Sequence, residues 1–238
     1  MTCKRIWLRS CLLLFVLLLG ACKNNDAGAD LEQSNLRADS LSIKLNSPEL
    51  KAVNKELLED PSNAALYIKR AKVYSDLKEL PDAVNDAKRA IRLDSTKADY
   101  YHLLVDVYFA QNNTRMAKDL LEIIEKKFPE DTEAMLKLAE LYFIVRQYQK
   151  GIDYTNKALK VDERIAKAYY IKGSIYRESG DTARALSSLE TAAEQDNKYK
   201  DAFYDIGVMY AARKNPIAFE YYDNVLRIDP TNQDALYA

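Results

Sequence analysis

The chain has 238 residues, of which 35 are Lys or Arg and 36 are Asp or Glu, so its formal net charge is −1. That balance argues against a nucleic-acid-binding protein, because such proteins usually carry a marked basic excess. Apolar residues make up 48% of the chain, which excludes disorder on composition, and only 6 Gly and 6 Pro argue against a turn-dense all-β fold.

Residues 1–21 have the pattern of a secretory signal. Lys4, Arg5 and Arg9 form a basic start, and an unbroken apolar run follows from Cys11 to Leu19. A membrane-spanning helix needs roughly 20 apolar residues, so this run is too short to span a bilayer. We therefore set the segment aside as a targeting sequence.

The signal ends in Leu19-Gly20-Ala21-Cys22, which resembles the bacterial lipoprotein box. The resemblance implies cleavage before Cys22 and attachment of acyl chains such as palmitate to Cys22, which would hold the protein on a lipid bilayer. Several acyl chains anchor firmly, whereas a single one binds only marginally. The resemblance implies the bacterial cell envelope, at the outer membrane, with the periplasmic or surface face left open. The alternative is an ordinary cleaved signal followed by a coincidental cysteine.

Residues 22–46 are predicted to be a flexible tether behind the acylated cysteine. The segment is polar and shows no sustained helical periodicity. Leu41, Ile43 and Leu45 alternate with polar residues, a pattern that also suits a short strand, but a tether is the better interpretation.

Residues 47–60 are predicted to form a helix that caps the N-terminal end of the following domain. Ser47-Pro48-Glu49 has the order of an N-cap, a proline in the first turn and an early acidic residue. The apolar positions of this helix are Leu50, Val53, Leu57 and Leu58.

The rest of the chain repeats every 34 residues. A series of tyrosines has this spacing: Tyr74, Tyr108, Tyr142, Tyr176 and Tyr210. Large residues form a second series, Tyr67, Tyr101, Met135, Tyr169 and Phe203, and smaller ones a third, Ala71, Val105, Ala139, Gly173 and Gly207. A fourth runs Ala83, Ala117, Gly151 and Ala185, with Ala218 one residue early. The spacing within each unit predicts two antiparallel helices, and since one hairpin cannot bury its own apolar face, the units must stack.

The period and the order of large, small, aromatic and alanine residues resemble the tetratricopeptide repeat (TPR) family. The resemblance implies an all-α fold, a right-handed superhelical solenoid of helix-turn-helix repeats, with five units between residues 61 and 232. Residues 233–238 match the start of a further unit, which we expect to be truncated. The early Ala218 predicts a shortened turn near Arg213 to Asn215 in unit five.

In this family the first helices line a concave groove that holds an extended or helical peptide. The residues expected to face this groove are Lys72, His102, Asp106, Phe109, Leu136, Glu140, Phe143, Tyr170, Ser174, Arg177, Tyr204 and Val208. His102 is expected to be a partly exposed groove histidine, and packing between units is an alternative role for Phe109 and Phe143. Chaperone-binding members use Asn in a carboxylate clamp where this chain has Lys72, Asp106, Glu140, Ser174 and Val208, so that clamp is not expected.

These patterns predict a lipid-anchored, non-catalytic scaffold or adaptor that binds a protein or peptide in the groove. The sequence has no phosphate-binding loop and no nucleophile elbow, and no cysteine follows Cys22. We therefore expect no catalytic residue, no metal and no cofactor. An alternative is a regulatory subunit of an envelope enzyme such as a peptidoglycan hydrolase, and a weaker one is an enzyme with a further domain after residue 238.

Overall fold

The structure is a computed structural model that describes residues 46–238. The predicted signal, Cys22 and the tether up to residue 45 lie outside the described residues. The chain divides into two compact units, one ending at Pro61 and the other spanning Ser62–Ala238. Within the described range, no helix combines the length and the apolar character that crossing a membrane requires.

The unit that ends at Pro61 contains helix α1 (Pro48–Glu59). The Ser47 hydroxyl accepts a hydrogen bond from the Leu50 N–H at 3.1 Å, so Ser47 is the N-cap that the sequence predicts. Leu58 is 84% exposed, because it lies about 100° around the helix from the buried Leu57. The buried positions are Leu50, Val53 and Leu57. The capping role of α1 stays a prediction.

The unit that starts at Ser62 is built from five helix pairs followed by a short helix. The pairs are α2 (Ala64–Asp76) with α3 (Leu80–Leu93), α4 (Ala98–Ala110) with α5 (Thr114–Lys127), α6 (Thr132–Ile144) with α7 (Tyr148–Val161), α8 (Ala166–Glu178) with α9 (Thr182–Gln195), and α10 (Lys200–Ala211) with α11 (Ala218–Ile228), followed by α12 (Gln233–Leu236). Each first helix packs against its own second helix and, from α4 onward, against the second helix of the preceding unit. The predicted all-α fold of stacked helix-turn-helix units is confirmed.

The series of small residues lies where the two helices of each unit approach most closely. Its first three members, Ala71, Val105 and Ala139, are completely buried. A Cβ atom added to Gly173 would lie 2.7 Å from the Leu189 Cγ, and one added to Gly207 would lie 2.7 Å from the Tyr222 ring. These distances are shorter than any van der Waals contact, so glycine permits a closer helix approach in units four and five.

The same turn closes every helix pair. A residue in the left-handed region follows each first helix: Lys78, Asn112, Arg146, Gly180 and Lys214, with φ between 54° and 85°. In unit one the Glu79 N–H donates to the Tyr74 carbonyl at 2.8 Å, and the Lys78 N–H donates to the Ser75 carbonyl at 3.0 Å. This is the Schellman arrangement, and it recurs in all five units. The 34-residue tyrosine series therefore marks the end of each first helix.

Unit five absorbs its missing residue between Asn215 and Ala218, after the closing turn and just before α11. The Asn215 N–H still donates to the Tyr210 carbonyl at 3.1 Å, as in the other units, so the prediction of a shortened turn before Asn215 was wrong. The Ala218 N–H donates to the Asn215 carbonyl three residues back, whereas the Ala83 N–H of unit one donates to Glu79 four residues back. A hydrogen bond that spans three residues is typical of a 3₁₀ helix. Helix α11 therefore begins later in its unit than the other second helices do, and the stacking of the units is maintained.

Arg146→Gly should stabilise the protein, because glycine avoids the cost of about 1 kcal/mol that an L side chain bears in the left-handed region. Gly180→Ala should destabilise it by a similar amount, at the equivalent position of unit four. Urea unfolding midpoints measure both effects. Arg146→Ala is the control, since it removes the exposed charge but keeps the Cβ atom. Equal midpoints for Arg146→Gly and Arg146→Ala would contradict the explanation.

Candidate functional site

The first helices from α4 to α10 present side chains that reach from one unit to the next on a shared surface. We call this surface the inner face and define it by the twelve predicted groove residues together with their partners on neighbouring first helices. Helices α2 and α4 touch directly, as do α6 and α8. The sequence analysis placed side chains on this surface, and the structure shows which of them are occupied by contacts within the protein.

From α4 to α10, one ion pair crosses each of the three junctions between successive first helices. The pairs are Asp106 with Lys137 at 2.7 Å, Glu140 with Lys167 at 2.8 Å, and Arg177 with Asp205 at 2.7 Å. Sequence reasoning missed Lys137, Lys167 and Asp205. In the sequence, each of these residues lies about one repeat away from a predicted inner-face residue of opposite charge. That pattern becomes specific only once the register of the stack is known.

Lys137 lies between two carboxylates. Its ammonium group is 2.7 Å from Asp106 on the preceding first helix and 2.9 Å from Glu133 on its own helix. Burial alone would lower the pKa of Lys137, but the hydrogen bonds to Asp106 and Glu133 raise it above the ordinary value. Lys137 therefore stays charged and links units two and three.

His102 is buried, and the prediction of a partly exposed groove histidine was wrong. Its side chain reaches from α4 to the start of α6, where Nε2 lies 2.7 Å from the Asp131 carboxylate. The other Asp131 oxygen accepts the Ala134 N–H at 2.9 Å and so caps α6. The hydrogen bond to Asp131 raises the pKa of His102, and although burial alone would raise the pKa of Asp131, its bonds to His102 and Ala134 lower it. This histidine joins two units.

Leu136 belongs to the core and does not face a groove. It is 7% exposed and packs in the cluster that contains Ile171 and Ile175 of the next unit. Phe109 and Phe143 are half-buried and also pack against core clusters. Packing between units therefore occupies part of both rings, as the alternative interpretation expected, and leaves part of each ring exposed.

Ser174 was also predicted to face the groove, but it is only 5% exposed, and Val208 contributes apolar surface; the other predicted residues keep polar or aromatic surface on the inner face. Lys72 and Asp106 are exposed, and Glu140 is partly exposed. Tyr170 is half-buried with its ring centroid 5.2 Å from that of Tyr199. The half-buried Tyr204 lies 5.9 Å from Tyr222 by the same measure. In units four and five the inner face therefore combines phenolic rings with charged groups.

This arrangement suits recognition of a peptide by hydrogen bonds, charges and ring contacts. Residues 46–238 contain no group of three His, Cys, Asp or Glu side chains that could hold a metal ion. Backbone and side-chain groups of an extended peptide are the partners that such a row of donors, acceptors and rings can satisfy.

Tetratricopeptide repeat models match residues 102–168 and residues 166–199. Residues 102–199 are tetratricopeptide repeats. The helix pairs on either side of this segment have the same turns and the same 34-residue spacing, so the whole stack has the TPR architecture.

Two human proteins share this region. The mitochondrial import receptor subunit TOM70 is 26% identical over 164 residues, which cover 66% of this chain and 27% of TOM70. DnaJ homolog subfamily C member 7 is 27% identical over 177 residues, 71% of this chain and 33% of that protein. The chain therefore spans about a third or less of the length of these two relatives.

Solved structures show the same TPR fold. YrrB, described as a TPR protein with an unusual peptide-binding site, is 29% identical with a TM-score of 0.56, and the match covers 78% of this chain and 96% of YrrB. Yeast Tom70 has a TM-score of 0.66 at 19% identity, over 81% of this chain and 42% of that chain. At that identity the likeness to Tom70 shows the fold alone.

Stability should depend on pH through His102, because its pKa in the folded protein is raised above the ordinary 6.5. A group with a higher pKa in the folded state stabilises the fold when it is protonated. Its contribution is complete below the unfolded pKa and is lost as the pH rises through the folded pKa. Relative to His102→Gln, the wild type should therefore lose free energy of unfolding as the pH is raised from about 6.5 into the alkaline range.

Urea unfolding of both proteins across that range measures this loss. Asp131, with its lowered pKa, stays ionised throughout, so it does not contribute to the difference. Two pH profiles that run parallel would show that the His102 pair makes no pH-dependent contribution.

Proposed function

We propose that this protein is a membrane-anchored, non-catalytic scaffold or adaptor of the bacterial cell envelope, which binds a protein partner through a peptide segment on the inner face. TPR proteins generally act as scaffolds for protein–protein interaction. The observation that carries the proposal is the inner face itself, where exposed charges and half-buried rings continue across four first helices.

The shape of the site favours a peptide over a small molecule. Pockets for small molecules are concave and mostly apolar, whereas the inner face is an open row of polar and aromatic groups. Extended peptides are recognised along such rows through their backbone and alternate side chains. The peptide-binding site named for YrrB supports the same assignment, since the match covers 96% of that chain.

The membrane anchor is proposed from the sequence alone. Leu19-Gly20-Ala21-Cys22 supports acylation at Cys22 and a location at the outer membrane, with the face of the membrane left open. As a flexible coil, the tether of residues 22–46 would hold the repeats about 25–30 Å from the bilayer. That reach would let the inner face meet a membrane-embedded partner.

Cys22→Ala should release the protein from membranes, because no acyl chain can then be attached. Fractionation followed by a high-salt wash and immunoblotting measures the release. Cys11→Ala is the matched control, since it removes a cysteine from the signal but leaves the lipoprotein box intact. Sedimentation of Cys22→Ala with washed membranes would overturn the lipid anchor.

The double variant Phe109→Ala and Phe143→Ala should weaken partner capture by about tenfold, because the exposed part of both rings then no longer contacts the peptide. Cross-linked pull-down from membranes with quantitative mass spectrometry measures capture, and circular dichroism measures helicity. Met116→Ala with Ile123→Ala is the control pair, since both side chains are exposed on the second helix α5.

Equal loss of capture in the two pairs, or unfolding of the first, would show that Phe109 and Phe143 act only in packing. The identity of the captured protein tests the scaffold role. Envelope assembly or secretion proteins would support it, whereas a peptidoglycan hydrolase would favour a regulatory subunit.

A further inference from the structure

Units two and three share a pair of stacked tyrosines that is held by a glutamate. The rings of Tyr142 and Tyr154 lie within 11° of parallel, and their centroids are 5.5 Å apart. Glu122, on α5, accepts a hydrogen bond from the Tyr142 hydroxyl at 3.4 Å and pairs with Lys118 of its own helix at 2.6 Å. The rings and the carboxylate therefore form one group between the two units.

A lysine of unit three occupies this group. The Lys157 ammonium, from α7, pairs with Glu125 on α5 and lies 4.6 Å from the centroid of the Tyr154 ring. Burial and the Glu125 carboxylate raise the pKa of Tyr154 to about 12, so its hydroxyl stays protonated. Aromatic faces and carboxylates both attract an ammonium group. The protein itself therefore shows that stacked tyrosines beside glutamates bind a lysine in this architecture.

The same group of tyrosines and glutamates recurs two periods later, between units four and five. The rings of Tyr210 and Tyr221 lie within 15° of parallel, with centroids 5.6 Å apart. The Tyr210 hydroxyl donates a hydrogen bond to Glu190 on α9 at 3.2 Å. Burial and the carboxylates of Glu190 and Glu194 raise the pKa of Tyr221. Negative charge therefore surrounds this second pair of rings as well.

No lysine of the chain occupies the second group. Asn224 stands where Lys157 stands in unit three, three residues after the second tyrosine of the pair. Among residues 46–238, no basic side chain lies within ion-pair distance of Glu190 or Glu194. The exposed Arg213 acts on Tyr210 only at longer range. The group therefore has the carboxylates and the rings of a lysine site but lacks the lysine.

A cavity of about 260 Å³ lies at this place. We call it the Glu190 cleft, and it is lined by Glu190, Ala193, Glu194, Phe203, Ile206 and Tyr221. Ala193 stands two periods after Glu125, so a methyl group replaces a longer side chain there. Glu190 and Tyr221 are half-buried and Glu194 is exposed, so the cleft is open to solvent. Its volume is below the roughly 300–1,000 Å³ of small-molecule pockets and suits a single side chain.

We propose that the Glu190 cleft receives a lysine side chain of a partner protein, at a second binding site that shares no residue with the inner face. The ammonium group would lie against the Tyr221 ring and pair with Glu190 and Glu194, as Lys157 does with its ring and carboxylate. The inference does not depend on peptide binding at the inner face. A partner that engages both sites would be held more firmly than one that engages either alone.

Asn224→Lys tests the cleft within the chain, because it supplies the lysine that unit five lacks. Its ammonium group should enter the cleft and raise the thermal unfolding midpoint of the full-length protein in detergent micelles by about 1–2 °C. The gain should disappear when Glu190→Gln and Glu194→Gln are added. Asn224→Gln is the matched control, since glutamine has a helix propensity close to that of lysine but no charge. Differential scanning calorimetry measures all four proteins.

Binding of a separate chain is tested with random dodecapeptides displayed on phage. Peptides are selected on the wild type and counter-selected on Asn224→Lys, whose own lysine blocks the cleft. The peptides that remain should share a lysine at one fixed position. Replacing that lysine by norleucine, which has no charge, should weaken binding about tenfold in fluorescence anisotropy.

Glu190→Gln should bind the lysine peptide about tenfold more weakly than the wild type does and should no longer distinguish it from the norleucine peptide. Asp106→Asn is the control, since it removes an inner-face carboxylate and leaves the cleft intact. It should bind both peptides as the wild type does. Should Asn224→Lys fail to fold by circular dichroism, the double variant Glu190→Gln and Glu194→Gln serves for the counter-selection.

A midpoint gain that persists without the two glutamates, or the absence of any gain, would contradict a lysine site in the cleft. Counter-selected peptides without a fixed lysine would overturn the docking of a partner there. Peptides that bind the wild type and Asn224→Lys equally are ligands of another surface, so the proposed function can stand when the cleft proposal fails. Failure of both proteins to enrich any peptide would overturn the two proposals together.

Discussion

The close approach of two helices at one small residue per unit is the constraint on which the structure depends. Ala71 and Ala139 are fully buried there, and a Cβ atom on Gly173 would collide with Leu189. Two helices that lie this close together must be joined by a short turn. The residue with left-handed backbone geometry before each second helix makes that turn possible. An isolated helix pair leaves its apolar face exposed, so the units stack to bury that face. Stacking in turn aligns the first helices and creates the inner face.

Stacking also decides which inner-face groups remain available to a ligand. Charges that are solvated on a single helix meet opposite charges on the next first helix, as Asp106 does with Lys137. His102 is used in the same way, since it binds the N-cap residue of the following unit. The buried Asp205 pairs with Arg177 of the preceding first helix in the same way.

The predicted groove residues separate into three groups once the fold is known. Leu136 is core, and His102 is a buried link between units. The rings of Phe109 and Phe143 are shared between packing and surface. Ser174 is buried as well, whereas exposed surface remains on Lys72, Asp106, Glu140, Tyr170, Arg177, Tyr204 and Val208. Helical spacing predicts a side of the helix, but a side chain at the border of that side turns inward or outward according to the neighbour that meets it.

The sequence by itself determined the helix pairs and their 34-residue register, because these depend on periodicity. It also carries the lipoprotein box at Cys22, which lies outside the described residues. Only the tertiary structure decided that His102 is buried, that the hydrogen bond from the Ala218 N–H spans three residues instead of four, and that Asp205 pairs with Arg177. Those outcomes depend on distances between side chains of different helices, or on the backbone hydrogen bonds that form where unit five lacks one residue. The spacing of residues along a single helix determines neither of these.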